Sequence, residues 1–467
     1  MQAWAGSELK YADLGDARLN KRLIKIVENL AAQPQASITQ ASASWAETKA
    51  TYAFWRSERI EAAAIIEAHQ RSATQRAKEH EMILAIQDTT DLNFTHHKSK
   101  TPAQGFGAIS EQEYLLGLKV HSVFGVTTQG VPLGVLHHQV WSRDPKHKGK
   151  AKKRRTRPLK DKESKRWLSS LVATELAVPE TTTVVTVADC EADIYELLAL
   201  ERAANSHLLI RAAHNRRVDH ESQYLQQAIA QADPCGQLLV EIPAKDERPA
   251  RTATVTIRLA RLTIEPPRHS RQRSQRQPIA VNVVWANEEN PPAGIKPISW
   301  LLLTTLTVDD FEDAVGCVRW YSYRWLIERY HYVLKSGCRL EQLQLETAER
   351  LEKALATYAI VAWRLLWLTY HSRVNGQLPC DTVLDADEWQ SLYCQIHRCS
   401  IPACHPPSLR QAVRWIAQLG GFLARKHDGE PGVKTIWRGL QRLHDIASTW
   451  KLVRSDSPES LCFSTYR

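Results

Sequence analysis

Three acidic residues in this chain stand where they could act together on a phosphodiester. Asp88 follows the apolar run MILAIQ (82–87), Asp189 follows TTVVTVA (182–188), and Glu328 lies within YSYRWLIERYHYVLK (321–335). The two apolar runs have the length of short buried strands, and a carboxylate ending such a strand stands at a sheet edge that a ligand can reach. In the third segment, a helix turning about 100° per residue brings Tyr321, Arg324, Glu328 and Lys335 within an arc of about 60°. Leu326, Ile327, Tyr330, Val333 and Leu334 fall on the opposite side. A solvated face laced with intrahelical ion pairs has the same pattern. Three carboxylates from three separate elements, however, meet the needs of metal-assisted phosphodiester cleavage. Two Mg²⁺ ions about 3.5–4 Å apart clamp the attacking and leaving oxygens, and carboxylates hold them with positions open for water and phosphate. Mn²⁺ is the expected substitute.

The charge distribution points the same way. The chain of 467 residues is 43% hydrophobic and 24% charged, with a net charge of +10. Residues 143–166, RDPKHKGKAKKRRTRPLKDKESKR, hold 13 Lys/Arg against three acids, which matches the whole excess. PPRHSRQRSQRQP (266–278) adds four arginines and no acid. Localised positive charge suits a polyanion, of which nucleic acid is the commonest. No 18-residue apolar run occurs; YAIVAWRLLWLTY (358–370) is too short to span a bilayer and carries Arg364, so it reads as a core helix. The segment MQAWAGSELKYADLGD lacks the pattern of a signal peptide, and nine scattered cysteines suit a reducing cytosol. CQIHRCSIPACH (394–405) brings Cys394, Cys399, Cys404 and His405 together without the spacing of a zinc knuckle, and is read as structural.

The elements that must position these residues can be read in outline. Residues 1–70 are expected to form a helical unit. LGDARLNKRLIKIVENLAAQP (14–34) spaces Leu19, Leu23, Ile26, Val27 and Leu30 on one side, with Arg18, Lys21, Arg22 and Lys25 on the other, where they could dock on phosphates. A second helix, about 41–56, offers Trp45, Tyr52, Phe54 and Trp55 for packing. From 71 to 371 strands and helices alternate. A hairpin over 119–141 turns at Gly130, a helix spans about 159–177, another follows Asp189 to about 204, and HLLIRA (207–212) is a strand. Residues from about 235 to 306 alternate as β-strands and are expected to be an insertion. Residues 372–467 return to helix.

These residues resemble the DDE transposases of bacterial insertion sequences, specifically the insertion-sequence-four group that includes the transposon-five transposase. The group's signature Tyr-x2-Arg-x3-Glu-x6-Lys is met by Tyr321, Arg324, Glu328 and Lys335. DTTDLNF (88–94), DCEADI (189–194), PISWLLLTT (297–305), LGGF (419–422) and LGDARLNKRL (14–23) are similar to family stretches, so the likeness runs over nearly the whole chain. There are departures. Cys190 stands where the group has arginine, and Tyr332 where a member of the group carries a second lysine.

The resemblance implies an α/β fold: an RNase H-like core with a β-rich insertion, flanked by helical N- and C-terminal domains, the last dimerising. It implies Asp88, Asp189 and Glu328 as the catalytic, metal-binding triad. Asp91 is expected to be a loop cap, and Glu191 and Asp193 helix-start residues. Tyr321, Arg324, Lys335 and Arg211 would grip phosphates, and Trp300 would receive a base extruded from the DNA end. The implied function is cut-and-paste transposition: water nicks one strand, the freed 3′-hydroxyl forms a hairpin, water reopens it, and the hydroxyl attacks target DNA. The implied partners are double-stranded DNA, as terminal inverted repeats and as target, and a second copy of the chain in a synaptic homodimer. LRQAVRWIAQLGGF (409–422) could supply that contact, or else pack into the core. The protein is expected to be cytoplasmic and nucleoid-associated, with no membrane partner. Two rival readings are an RNase H-like nuclease without strand transfer and an inactive DNA-binding remnant.

Neutralising Lys152, Lys153, Arg154 and Arg155 is expected to weaken general DNA binding. The log–log salt slope should flatten by up to about 0.9 per lost phosphate contact. Binding measured from low to moderate salt checks this, and an unchanged slope would leave the run without a phosphate contact.

Overall fold

The computed structural model describes residues 2–110, 115–143, 162–221, 224–242, 250–268 and 276–455. Most of the basic run, 144–161, and residues 269–275 of the second arginine run lie outside the described residues.

Five helices precede the first strand: α1 (Gln2–Glu8), α2 (Ala17–Ala32), α3 (Ile38–Ala41), α4 (Trp45–Arg56) and α5 (Ala62–Ala77). The Asp16 side chain caps α2 by accepting from the Arg18 amide, which satisfies a donor the helix cannot. Leu23, Ile26, Val27 and Leu30 are buried as their spacing requires. On α4, Phe54 and Trp55 are buried, whereas Trp45 and Tyr52 are exposed. Only part of that aromatic set therefore serves packing. Glu8 ties the unit together: its carboxylate meets Nδ1 of His69 at 2.6 Å and Nη1 of Arg76 at 2.7 Å. Arg76 in turn donates to the Leu133 carbonyl at 2.7 Å.

One ten-stranded sheet forms the centre, in the order β2-β3-β1-β5-β6-β10-β9-β8-β7, with β4 on the far side of β3. Its strands are β1 (Met82–Asn93), β2 (Gly107–Ala108), β3 (Leu116–Thr127), β4 (Pro132–Trp141), β5 (Thr183–Ala188), β6 (Ser206–Arg211), β7 (Pro234–Ile242), β8 (Arg251–Ile264), β9 (Ile279–Asn287) and β10 (Ser299–Thr304). β1–β5 and β5–β6 are parallel, and the other pairings are antiparallel. The β3–β4 hairpin turns at Gly130, whose φ of 87° suits a residue without Cβ. The strands expected as an insertion, β7–β10, join the central sheet. β10 pairs with β6 and carries the core sheet outward.

The helix expected from Asp189 to about 204 is absent. A 3₁₀ turn (Cys190–Ala192) and the short α7 (Tyr195–Leu198) replace it, after α6 (Lys165–Ala177) and before α8 (Leu225–Ala230). Among the described residues six helices follow the sheet: α9 (Phe311–Ser322), α10 (Trp325–Tyr332), α11 (Ala348–Val374), α12 (Ala386–His397), α13 (Leu409–Leu419) and α14 (Val433–Ser455). α11 is the apolar segment around Arg364, buried along most of its length. The Arg364 guanidinium is accommodated over the rings of Trp4 and Trp367, at 5.0 and 4.4 Å. Among the described residues no helix is long and apolar enough to cross a membrane.

The apolar face of α13 is spent within the chain. Leu409, Val413 and Ile416 are buried in a core that includes Leu392, Ile436 and Leu443. α13 and α14 cross at backbone contact: a Cβ on Gly439 would lie 1.7 Å from the Ile416 carbonyl oxygen. Gly439→Ala is therefore expected to destabilise the C-terminal helices by about 1–3 kcal/mol, the usual cost of overpacking. That outweighs the ~1 kcal/mol helix-propensity gain of alanine. Urea unfolding of the variant checks the sign.

Candidate active site

The β1–β5 pairing runs from Met82↔Thr183 to Gln87↔Ala188 and stops there. Asp88 and Asp189 are the next residues of two adjacent parallel strands, so the pairing delivers both to one edge. Asp88 does not end its strand, as the sequence implied. β1 continues to Asn93 because β3 goes on pairing with it, Asp88 opposite Ser122. Only the β5 side opens. Asp189 turns its chain away into the 3₁₀ turn, where its Oδ1 accepts from the Glu191 amide at 2.9 Å. Asp91, expected in a loop, sits inside β1 opposite Lys119 and is ion-paired with it. Three residues from Asp88 in a strand, it points to the other face.

The segment 321–335 is not one helix. α9 ends at Ser322 and α10 begins at Trp325, with i→i−3 bonds such as Arg324 N–H to the Tyr321 carbonyl (3.0 Å) tightening the join. Val333–Gly337 then forms a π-turn closed by the Cys338 amide on the Val333 carbonyl at 2.7 Å. The constant 100° step fails at both places. Tyr321, expected on the polar face, is buried at 3% exposure with its ring edge-on to Trp300, centroids 5.2 Å apart. Arg324 and Glu328 keep their side-by-side placement, paired at 2.6 Å. Lys335 lies in the π-turn, half-buried. α10 is held to the sheet by Tyr330, whose ring stacks on Phe124 of β3 at 4.9 Å.

A cavity of about 250 Å³ lies beside these groups, lined by Arg211, Lys296, Ser299, Trp300, Tyr321, Arg324 and others. Trp300 is 5% exposed yet forms part of its wall. The Tyr321 hydroxyl is buried without a well-formed hydrogen bond, although Arg324 and Arg211 both act on it electrostatically.

Burial, with Asp189 and Glu328 nearby, pushes the Asp88 carboxyl up to about 7, against the opposing pull of the Thr89 amide and Arg324. Asp189 and Glu328 thus both act on Asp88, although the three come from residues 101 and more apart. Among the described residues, no three ligand side chains already converge as a cage, and Glu328 is turned to Arg324. The donor set nevertheless fits a hard divalent cation. It offers carboxylate oxygens, mutual repulsion that a cation would relieve, and a face left open where β5 departs.

Three family models match the chain: Transposase DNA-binding over residues 1–60, Transposase DDE domain over 79–364, and Transposase Tn5 dimerisation domain over 360–459. The DDE match alone spans more than half of it. The chain belongs to the DDE transposase family. The central sheet is accordingly an RNase H-like core, and the protein is a metal-dependent enzyme of DNA cleavage and strand transfer. DNA is its partner, and it pairs with itself.

Within the transposase, Asp88, Asp189, Glu328, Tyr321, Arg324, Arg211 and Trp300 are gathered at one place. Arg18 and Arg22 are not among them. Arg18 is exposed and paired with Asp16 at 2.9 Å, and Arg22 is half-buried on α2, which packs on α1, α3, α4, α11 and α14. Glu191 and Asp193, expected to start a helix, do other work. Glu191 meets Arg166 at 2.9 Å, and Asp193 is buried, accepting from the amides of Ala213 (2.8 Å) and His214 (2.9 Å) and from Arg216. Asp193 thereby fixes the loop leaving Arg211. The sequence reading missed Lys296 of the cavity wall, although it precedes the quoted PISWLLLTT directly. It also missed Arg166, the last residue of the basic run, which donates to the Thr89 hydroxyl at 2.8 Å. His331 was missed as well, its Nδ1 standing 3.8 Å from Oδ2 of Asp88. On a uniform wheel of about 100° per residue His331 falls beside Arg324 at the edge of the polar arc, and that placement was the available signal.

Proposed function

We propose that Asp88, Asp189 and Glu328 are the metal-binding triad of a cut-and-paste transposase of the insertion-sequence-four group. The observation that carries this reading is that Asp88, at the edge where β5 leaves β1, feels the charge of both Asp189 and Glu328. Mg²⁺, as two ions and replaceable by Mn²⁺, would supply Lewis-acid activation of the scissile phosphate and of the attacking oxygen. Asp88 and Asp189 would hold them from the sheet and Glu328 from α10, once released from Arg324. Arg324, freed in the same exchange, is then available for a phosphate, together with Arg211 and Lys335. Nicking, hairpin formation, hairpin opening and target joining are all in-line displacements at phosphorus, so one triad serves each.

The same reading divides the chain into a DNA-end-binding unit (1–70), a catalytic unit (71–371, with the strands of about 235–306 extending the sheet) and a dimerising unit (372–467). Arg18 and Arg22 belong to the first and face phosphates. The substrates are the element's terminal inverted repeats and target DNA, bound by a synaptic homodimer in the bacterial cytoplasm at the nucleoid.

Alanine at Asp88, Asp189 or Glu328 is expected to abolish Mg²⁺-dependent cleavage of the element's ends while end binding persists. A gel-shift and a cleavage assay on the same preparations check this. Full cleavage by Asp88→Ala alongside its loss in Asp91→Ala would overturn the assignment.

Trp300→Ala is expected to nick normally and then accumulate nicked DNA. Stacking of an extruded base on an aromatic surface contributes about 1–3 kcal/mol, so hairpin yield should fall at least several-fold. Equal loss of nicking, hairpin and thermal stability would make Trp300 a packing residue only.

A further inference from the structure

Behind Asp88, on the same face of the sheet, runs a row of buried and half-buried polar side chains with no part in the chemistry above. Asp88 of β1 is registered opposite Ser122 of β3, and Ser122 opposite His138 of β4. Residues directly opposite in adjacent strands point to one face. The face is the one under α10, because Phe124, two residues from Ser122, stacks on Tyr330. Ser122 Oγ and His138 Nδ1 are 3.3 Å apart. From α10, His331 reaches down with Nδ1 3.8 Å from Asp88 Oδ2. His331 and His138 lie close enough to act on each other electrostatically. Both imidazoles have a buried Nε2 without a hydrogen-bond partner.

Two orphaned ring nitrogens in one buried layer are costly unless something joins them. An ionised carboxylate only accepts, so a neutral His331 serving Asp88 must carry its proton on Nδ1. That leaves its Nε2 as an acceptor. A Ser122 hydroxyl donating to Nδ1 of His138 leaves the other Nε2 as a donor. A single buried water between them would accept from the His138 Nε2–H and donate to the His331 Nε2, as such waters do for paired orphan groups.

We infer that Ser122, His138, a buried water and His331 form a directional hydrogen-bond relay that fixes the carboxylate plane of Asp88. His331 is a positioning residue, as are the groups behind it. Its Nδ1–H closes from 3.8 Å to about 3 Å on Oδ2, while the Thr89 amide already holds Oδ1 at 2.8 Å. Pinned at both oxygens, Asp88 presents its lone pairs to a cation in one orientation. This rests on Asp88 being a metal ligand.

The test is Mn²⁺ binding to the full chain, followed by the paramagnetic resonance signal of free Mn²⁺, with thermal unfolding measured alongside. His331→Leu is expected to weaken binding by about 10–100-fold, the usual effect of removing a partner of a metal ligand. His331→Gln, whose amide still donates, should restore most of it. His138→Leu should weaken binding in the same direction and add nothing in the His138→Leu/His331→Leu double variant. Unchanged binding in a folded His331→Leu, or additive losses, overturns the relay. Asp88→Asn is the control: if it too leaves binding unchanged, the metal assignment fails; if it alone abolishes binding, only the relay fails. Should His331→Leu not fold, ¹⁵N spectra of the histidine rings in the unaltered protein decide. His331 is expected protonated on Nδ1 and His138 on Nε2, and either ring in the opposite tautomer overturns the proposal.

Discussion

Six parallel pairs between β1 and β5, from Met82↔Thr183 to Gln87↔Ala188, decide where this protein gathers its strand-edge acids. Parallel strands share a direction, so the residues that follow the last pair leave the sheet at one edge. Here both are aspartates. Because β3 keeps hold of β1 past this point, Asp88 stays in extended backbone while Asp189 swings off into a turn. A gap opens between them without either strand losing its anchor. Glu328 is brought to that gap by hydrophobic contact rather than by its own charge, since Tyr330 on the same helix stacks over Phe124 of β3. The repulsion created by gathering three acids is thus borne by the apolar packing of β1, β3 and α10.

Cation placement completes this balance. Arg324 pairs with Glu328 and also acts on Asp88, while Arg211 and Lys296 stand across the cavity. Burial would lower the charge on Arg324, but the surrounding phenol and carboxylates more than offset it and hold the guanidinium protonated. The site therefore stays near neutrality while keeping both signs at hand. Of the two arginines, Arg324 is held by an acid, Glu328, whereas Arg211 donates to the Ser299 carbonyl.

The two aspartates and the core strands were legible because an apolar run that stops at an acid is a local signal. β1 beyond Asp88 was not legible. DTTDLN has the composition of a loop and becomes strand only because β3, some 25 residues on, supplies the partner. For the same reason the strands of 235–306 could be recognised as β but not as an extension of the core sheet, since pairing with β6 is not written in their own residues. The helical wheel of 321–335 failed for a different cause. It assumes one rotation per residue, and the chain departs from that at Tyr323 and again at Val333. Arg324 and Glu328 survive the error because no break falls between them. Tyr321, on the far side of the first break, does not.

The second break reaches beyond the active face. A π-turn is an α-helix with one extra residue let into it, and here the widened turn ends in Gly337, against which Trp437 of α14 packs so closely that a Cβ would stand 3.0 Å from its ring. Tyr332, one residue before the turn, packs on the same indole at 5.7 Å. Excising a single residue between 333 and 337 would restore ordinary helical phase, swinging Lys335 and Gly337 about 100° around the axis. The lysine would leave its present position and the indole would lose its seat together. One codon thus sets the angular register between the carboxylate-bearing helix and the part of the chain that joins two copies, and an insertion or deletion there is a lesion of a kind that no point substitution in the triad reproduces.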